Sequence, residues 1–121
     1  MKQKSNIILQ LSLDFAIEII DMYKILNSKG EFIISRQLFH FATSIDANVN
    51  EGTVAASTKD FINKLIIASK EARETEYWFL LLEKSQIVTY DFSKYISGIS
   101  EINKIRKSIF KTMQERSETK L

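Results

Sequence analysis

The chain has 121 residues, with 17 Lys and Arg against 15 Asp and Glu, one His, three Gly and neither Cys nor Pro. That excludes disulfides and thiolate metal sites, disfavours a many-turned β-sandwich, and leaves a catalytic site only one imidazole to work with. The length fits one domain, residues 1–121, and a composition 45% hydrophobic and 26% charged suits a globular core. The longest apolar run is Tyr77–Leu82, too short to span a bilayer, and no secretory apolar region follows Met1. A cytoplasmic location and no membrane partner are therefore expected.

Helical periodicity predicts four segments at roughly 6–27, 35–52, 58–86 and 91–116. In the first, Ile8, Leu11, Phe15, Ile19, Met22 and Leu26 recur at spacings of three or four, and Gly30 is a natural stop. In the second, Ser35 is the candidate cap, and Leu38, Ala42, Ile45 and Val49 form the apolar line up to Gly52. The third opens on Ser57-Thr58-Lys59-Asp60, close to a capping box, and continues through Phe61, Leu65, Ala68, Ala72, Thr75, Phe79 and Leu82. Asp91 is placed to cap the fourth, whose line is Phe92, Ile96, Ile99, Ile102, Ile105, Ile109 and Met113, with Gly98 inside it as a candidate close contact or kink. Connections of roughly five to eight residues predict an antiparallel, up-down-up-down four-helix bundle, frayed beyond about Ser117.

Two features extend beyond the core. The second and third helices carry surplus apolar residues: Phe39, Phe41, Tyr77, Trp78 and Leu81 are candidate positions for an interface between copies of the chain. Charge is also uneven. Residues 101–121 hold six cations against Glu101, Glu115 and Glu118, while residues 31–100 hold seven cations against nine anions. Lys104, Lys107 and Lys111 share one helical face, with Arg106 beside them, and form the candidate contact for an RNA backbone. A solvated helix face, favourably placed near the negative end of the helix dipole, is the plainer alternative.

The second helix then carries a resemblance. Gln37-Leu38-Phe39-His40 followed by Ser44-Ile45-Asp46-Ala47-Asn48-Val49-Asn50-Glu51 resembles the signature Q-L-x-R-x-x-x-S-I-x-A-N-I-x-E of the four-helix bundle proteins encoded by intervening sequences of bacterial large-subunit ribosomal RNA genes. Ser57-Thr58-Lys59-Asp60-Phe61-Ile62 and Lys70-Glu71-Ala72-Arg73-Glu74-Thr75-Glu76-Tyr77-Trp78 are similar to the family's S-K-x-D-F-I and K-E-A-x-E-T-x-Y-W stretches. The resemblance implies an all-α bundle assembling into a ring-like homo-oligomer, a pentamer, and a likeness to the basic accessory protein of diversity-generating retroelements. His40 departs from the family's Arg and removes a permanent cation there.

Gln37, Ser44, Asn48 and Glu51 form a polar line on the second helix, with Arg36 and His40 one step around. Pairing across the turn, with partner numbers that sum to about 110, sets His40 opposite Lys70 and Glu71, and Arg36 opposite Glu74. Arg36, His40, Ser44, Asn48, Glu51, Glu71 and Glu74 are thus read as an interhelical polar network that fixes register. One His cannot supply the two Glu-x-x-His motifs of a di-iron bundle, so neither metal nor cofactor is expected. Isolated glycines and the absence of a nucleophile elbow argue against enzyme activity. The expected function is a non-enzymatic oligomeric scaffold or adaptor, partnered by RNA or a nucleic-acid-processing protein. The alternatives are a small ligand binder or enzyme using Arg36, His40, Glu71 and Glu74, and a purely structural oligomer.

Overall fold

The computed structural model describes residues 2–119, with side chains described as far as Arg116. Helices occupy Lys2–Ser28 (α1), Ile33–Thr53 (α2), Thr58–Ser85 (α3) and Ser93–Thr119 (α4), and there is no strand among the described residues. Each helix packs against two others, in the order α1–α2, α2–α3, α3–α4 and α4–α1. No helix among the described residues is long and apolar enough to cross a membrane.

The core forms where the three-four spacing places it. Ile8, Phe15, Ile19, Met22 and Leu26 of α1 meet Leu38, Ala42, Ile45 and Val49 of α2, Leu65, Ala72, Phe79 and Leu82 of α3, and Ile99, Ile102 and Ile109 of α4. Leu11, Phe61, Ile96, Ile105 and Met113, also on the expected lines, are only partly buried against that core. Tyr95 joins it off the fourth line, stacked on Phe79 at 6.2 Å and sharing a 3.3 Å hydroxyl contact with Tyr90. Burial and that contact push the Tyr95 hydroxyl well above the ordinary tyrosine range. Two glycines set close helix approach. A Cβ at Gly98 would lie 3.0 Å from the buried Phe15 ring, and one at Gly52 would lie 3.2 Å from Phe61 and 3.3 Å from the Lys64 Cβ.

Helix ends follow local chemistry, with one correction. At the end of α1, Gly30 takes φ +87°, its amide donates to the Asn27 carbonyl at 3.0 Å, and the Glu31 amide donates to the Leu26 carbonyl at 2.9 Å. Those are the two bonds of a Schellman stop. Ser57 caps α3, its Oγ accepting from the Asp60 amide at 3.1 Å. Ser35, by contrast, is not the cap of α2. The helix begins two residues earlier, and the acceptor is the carboxylate of Glu31, which takes the amides of Ile33, Ile34 and Ser35 at 3.1, 2.8 and 2.7 Å. The N-cap position belongs to Phe32, whose side chain cannot accept, so the preceding residue reaches over it. Ser35 lies buried in the first turn, its Oγ near Asn27 Oδ1 at 3.1 Å and the Glu31 carbonyl at 3.0 Å.

Asp91 accepts from the Ser93 amide at 3.0 Å, and that bond holds its carboxyl below the usual carboxylate range. α1 starts at Lys2 rather than near residue 6, and α4 remains helical to Thr119, past the expected fraying point. Lys120 and Leu121 lie outside the described residues. The connections 29–32 and 54–57 are shorter than expected, and 86–92 is as long as expected.

Candidate nucleic-acid interface

α4 presents Lys104, Lys107 and Lys111 to solvent on one face, as their spacing requires. Arg106 does not join them. It is half-buried on the side turned to α3, and its Nε donates to Asn103 Oδ1 at 2.7 Å. Asn103, only 5% exposed, uses its amide to bind Glu76 of α3, so one side chain ties an anion on α3 to a cation on α4. Burial pushes the Arg106 guanidinium below its ordinary value, Glu76 opposes that, and nearby Arg73 of α3 adds to it. Nothing in the sequence marks Asn103 for this role. Asn103 looks like an ordinary polar residue between Ile102 and Lys104, and only the register of α3 against α4 reveals its role.

Across from this seam, α3 offers a second set of groups. Lys70, Arg73, Glu74 and Tyr77 line a hollow of about 540 Å³. Tyr77 also borders a second hollow of about 400 Å³ between the helices, floored by Leu80, Ile96 and Ile99 and edged by Glu76, Glu83 and Ser100. Tyr77 is 54% exposed. Its neighbour Trp78 differs: it packs partly into the core, its Nε1 enclosed without a hydrogen-bond partner, with the two rings edge to face at 6.2 Å. Lys70, Arg73, Tyr77, Leu80 and Lys84 continue the three-four spacing along the exposed side of α3, a signal present in the sequence.

The polar line of α2 is distributed differently from expectation. Asn48 Nδ2 donates to the Ser44 carbonyl at 2.9 Å and lies 3.3 Å from Ser44 Oγ, so that pair is satisfied within α2. Glu51 reaches α3, pairing with Lys64 at 2.7 Å. Arg36, His40 and Glu74 are exposed, and among the described residues no ion pair or hydrogen bond joins them to one another or to Glu71. Glu71 keeps one carboxylate oxygen enclosed and without a partner. The reason is register. Glu51 with Lys64, and Gly52 against Phe61 and Lys64, give partner numbers that sum to 113–116, about one helical turn beyond the 110 assumed from the loop. His40 sits edge-on to the Phe41 ring at 5.3 Å.

Phe39, Phe41, Trp78 and Leu81 are half-buried within the chain, Phe39 against Tyr23 at 5.0 Å. The exposed apolar side chains are Ile7, Leu13 (44%) and Ile17 (51%) on α1, Ile66, Ile67, Tyr77 and Leu80 on α3, and Phe32, Ile33, Val54 and Ile87 at or beside the helix connections. Among the described residues, no group of three or more His, Asp or Glu could hold a metal ion.

Residues 4–111 match the 23S rRNA-intervening sequence protein family. The chain belongs to that family. A crystal structure from Bacteroides thetaiotaomicron, of a protein of unknown function from the S23 ribosomal protein family, is similar at 44% identity and a TM-score of 0.83, covering 89% of this chain and 98% of that one. Comparison with curated proteins gives no match. Membership of the intervening-sequence family agrees with the α2 and α3 stretches and with the four-helix architecture.

Proposed function

We propose that this intervening-sequence protein is a non-enzymatic, cytoplasmic scaffold: a one-domain, antiparallel, up-down-up-down bundle that assembles into a ring of identical copies, a pentamer by family resemblance, and holds RNA or a nucleoprotein partner on the basic face of α4. The observation that carries the assembly is the exposed apolar line on α1. Leu13 and Ile17, at 44% and 51% exposure, are one turn apart on the side away from the core. Contiguous apolar surface of this kind is what oligomer contacts bury. Phe41 and Leu81 are the accompanying positions proposed from α2 and α3.

Three lysines on one chain make a weak phosphate contact, and a ring repeats that contact around its circumference. Repetition raises affinity without any new chemistry. Light scattering at micromolar concentration tests the assembly: a defined oligomer is expected, dissociated by Leu13→Glu with Ile17→Glu, and a strict monomer overturns it. A salt-dependent binding isotherm with structured RNA tests the partner. Loss of binding is expected when Lys104, Lys107 and Lys111 are all changed to Glu, and unchanged binding removes the α4 face from the reading.

A further inference from the structure

We infer that the α3–α4 face is a binding site for an unpaired nucleic-acid strand, with Lys70 and Arg73 of α3 and Lys104, Lys107 and Lys111 of α4 taking the phosphates and Tyr77 stacking a base over the apolar hollow. This deepens the RNA half of the proposed function and rests on it. The first support is that the cations of the two helices form one surface. Glu76 meets Asn103 across the seam, and Arg73 lies close enough to Arg106 to affect its ionisation. Following that register one turn further brings Lys70 level with Ile109, between Lys107 and Lys111. Two rows of positive charge therefore flank the seam. The anion between them, Glu76, is already engaged by Asn103, leaving Glu74 at the α3 hollow and Glu83 at the rim of the apolar one as the opposing charges.

The second support is the shape beside the charge. Tyr77 stands where the two hollows meet, one lined by Lys70 and Arg73, the other floored by Leu80, Ile96 and Ile99. A charged trough adjoining an exposed aromatic ring is the arrangement that binds single strands, because every base offers a face for stacking while the backbone follows the cations. A duplex would reach the lysines but keep its bases stacked on one another, leaving the hollow at Tyr77 unfilled. Trp78, the more obvious stacking residue in the sequence, is half-buried against the core with its indole nitrogen enclosed, and takes no part.

The test is fluorescence anisotropy on the full chain, using a labelled single-stranded RNA of about 12 nucleotides and a duplex RNA of the same length. Single-strand binding tighter than duplex binding is expected. Tyr77→Ala should weaken the single strand about fivefold or more, leave the salt slope unchanged, and be rescued by Tyr77→Phe. Arg73→Glu should weaken binding and lower the salt slope, as loss of a phosphate contact does. Both positions are exposed, and helicity by circular dichroism confirms that each variant is folded.

If Tyr77→Ala and Arg73→Glu bind like the parent while the triple lysine variant does not, the α3 half is wrong and the α4 reading survives. Equal or tighter binding of the duplex overturns the single-strand assignment. Failure of the parent to bind either RNA overturns both this inference and the RNA half of the proposed function, while the light-scattering result still stands.

Discussion

Glu31→Ala removes the acceptor for three helix-opening amides at once. The structure indicates where the cost falls. The Ile33 side of the turn is open, with that residue 76% exposed, so its freed amide can be hydrated. Ser35 is fully buried, and its amide, now 2.7 Å from the carboxylate, loses a charge-assisted bond with no solvent to replace it. An unsatisfied buried donor costs about 1–3 kcal/mol, and loss of the anion at a helix N-terminus about 0.3–1 kcal/mol more. The expected destabilisation is therefore about 1.3–4 kcal/mol, extending above the range for an ordinary capping residue. Glu31→Gln should lie between parent and Ala. Its carbonyl can still serve Ile33 and Ile34, but its NH2 would face the Ser35 amide, donor against donor. Urea unfolding followed by far-UV circular dichroism gives both values. A Glu31→Ala variant within about 0.5 kcal/mol of the parent would refute this account of how α2 begins.

Other expectations follow from the packing and the ionisable groups. Gly98→Ala should lower thermal stability despite a helix-propensity gain of about 1 kcal/mol, because its methyl would meet the buried Phe15 ring at 3.0 Å and overpacking costs about 1–3 kcal/mol. A raised melting temperature would mean that ring yields freely. Asn103→Ala should destabilise by about 1–3 kcal/mol, since it strips Glu76 and Arg106 of a shared partner at a site only 5% exposed. Denaturant unfolding of the single variant, and of Asn103→Ala combined with Glu76→Gln, checks whether the two positions are coupled. Burial raises the Asp46 carboxyl above its ordinary value, opposed by a Ser12 hydrogen bond, so the folded state holds that proton more tightly than the unfolded one. Its favourable contribution is then full below the ordinary carboxylate pKa and lost as pH rises through the raised value. Asp46→Asn should gain stability relative to the parent between pH 3 and pH 7, and unfolding curves showing a constant difference would contradict that.

How much of this was legible in the sequence depended on how far each cause reaches along the chain. Gly30 and Ser57 could be read directly, because a Schellman stop and a side-chain cap involve only a few consecutive residues. The apolar lines could be read as well, since a spacing of three and four leaves the chain one face to bury. Ser35 misled because capping preferences assume that the acceptor sits at the N-cap itself. Here the connection folds Glu31 back over Phe32, a matter of backbone path rather than residue type. The polar pairs of α2 and α3 misled for a related reason. An error of one turn in register exchanges every partner, and the 54–57 connection does not encode that offset. The seam of Glu76, Asn103 and Arg106 was out of reach for sequence reasoning, because its members belong to two helices whose register is set by packing around Phe79, Phe92 and Tyr95. The basic, aromatic side of α3 was within reach, since Lys70, Arg73 and Tyr77 share a spacing, but the apolar run around Tyr77 and Trp78 carries the same signal as a buried face.

The position of Trp78 has a practical consequence. It is the only indole in the chain, its nitrogen is sealed from water without a partner, and its ring touches the side chain proposed to receive a base. All tryptophan emission therefore comes from one place, and a protected indole proton gives a solitary resonance in a nitrogen-correlated spectrum. Any event at Tyr77, whether a strand arriving or another copy docking, can be watched from one residue away without attaching a label. The chain carries its own gauge for the surface proposed to take the strand.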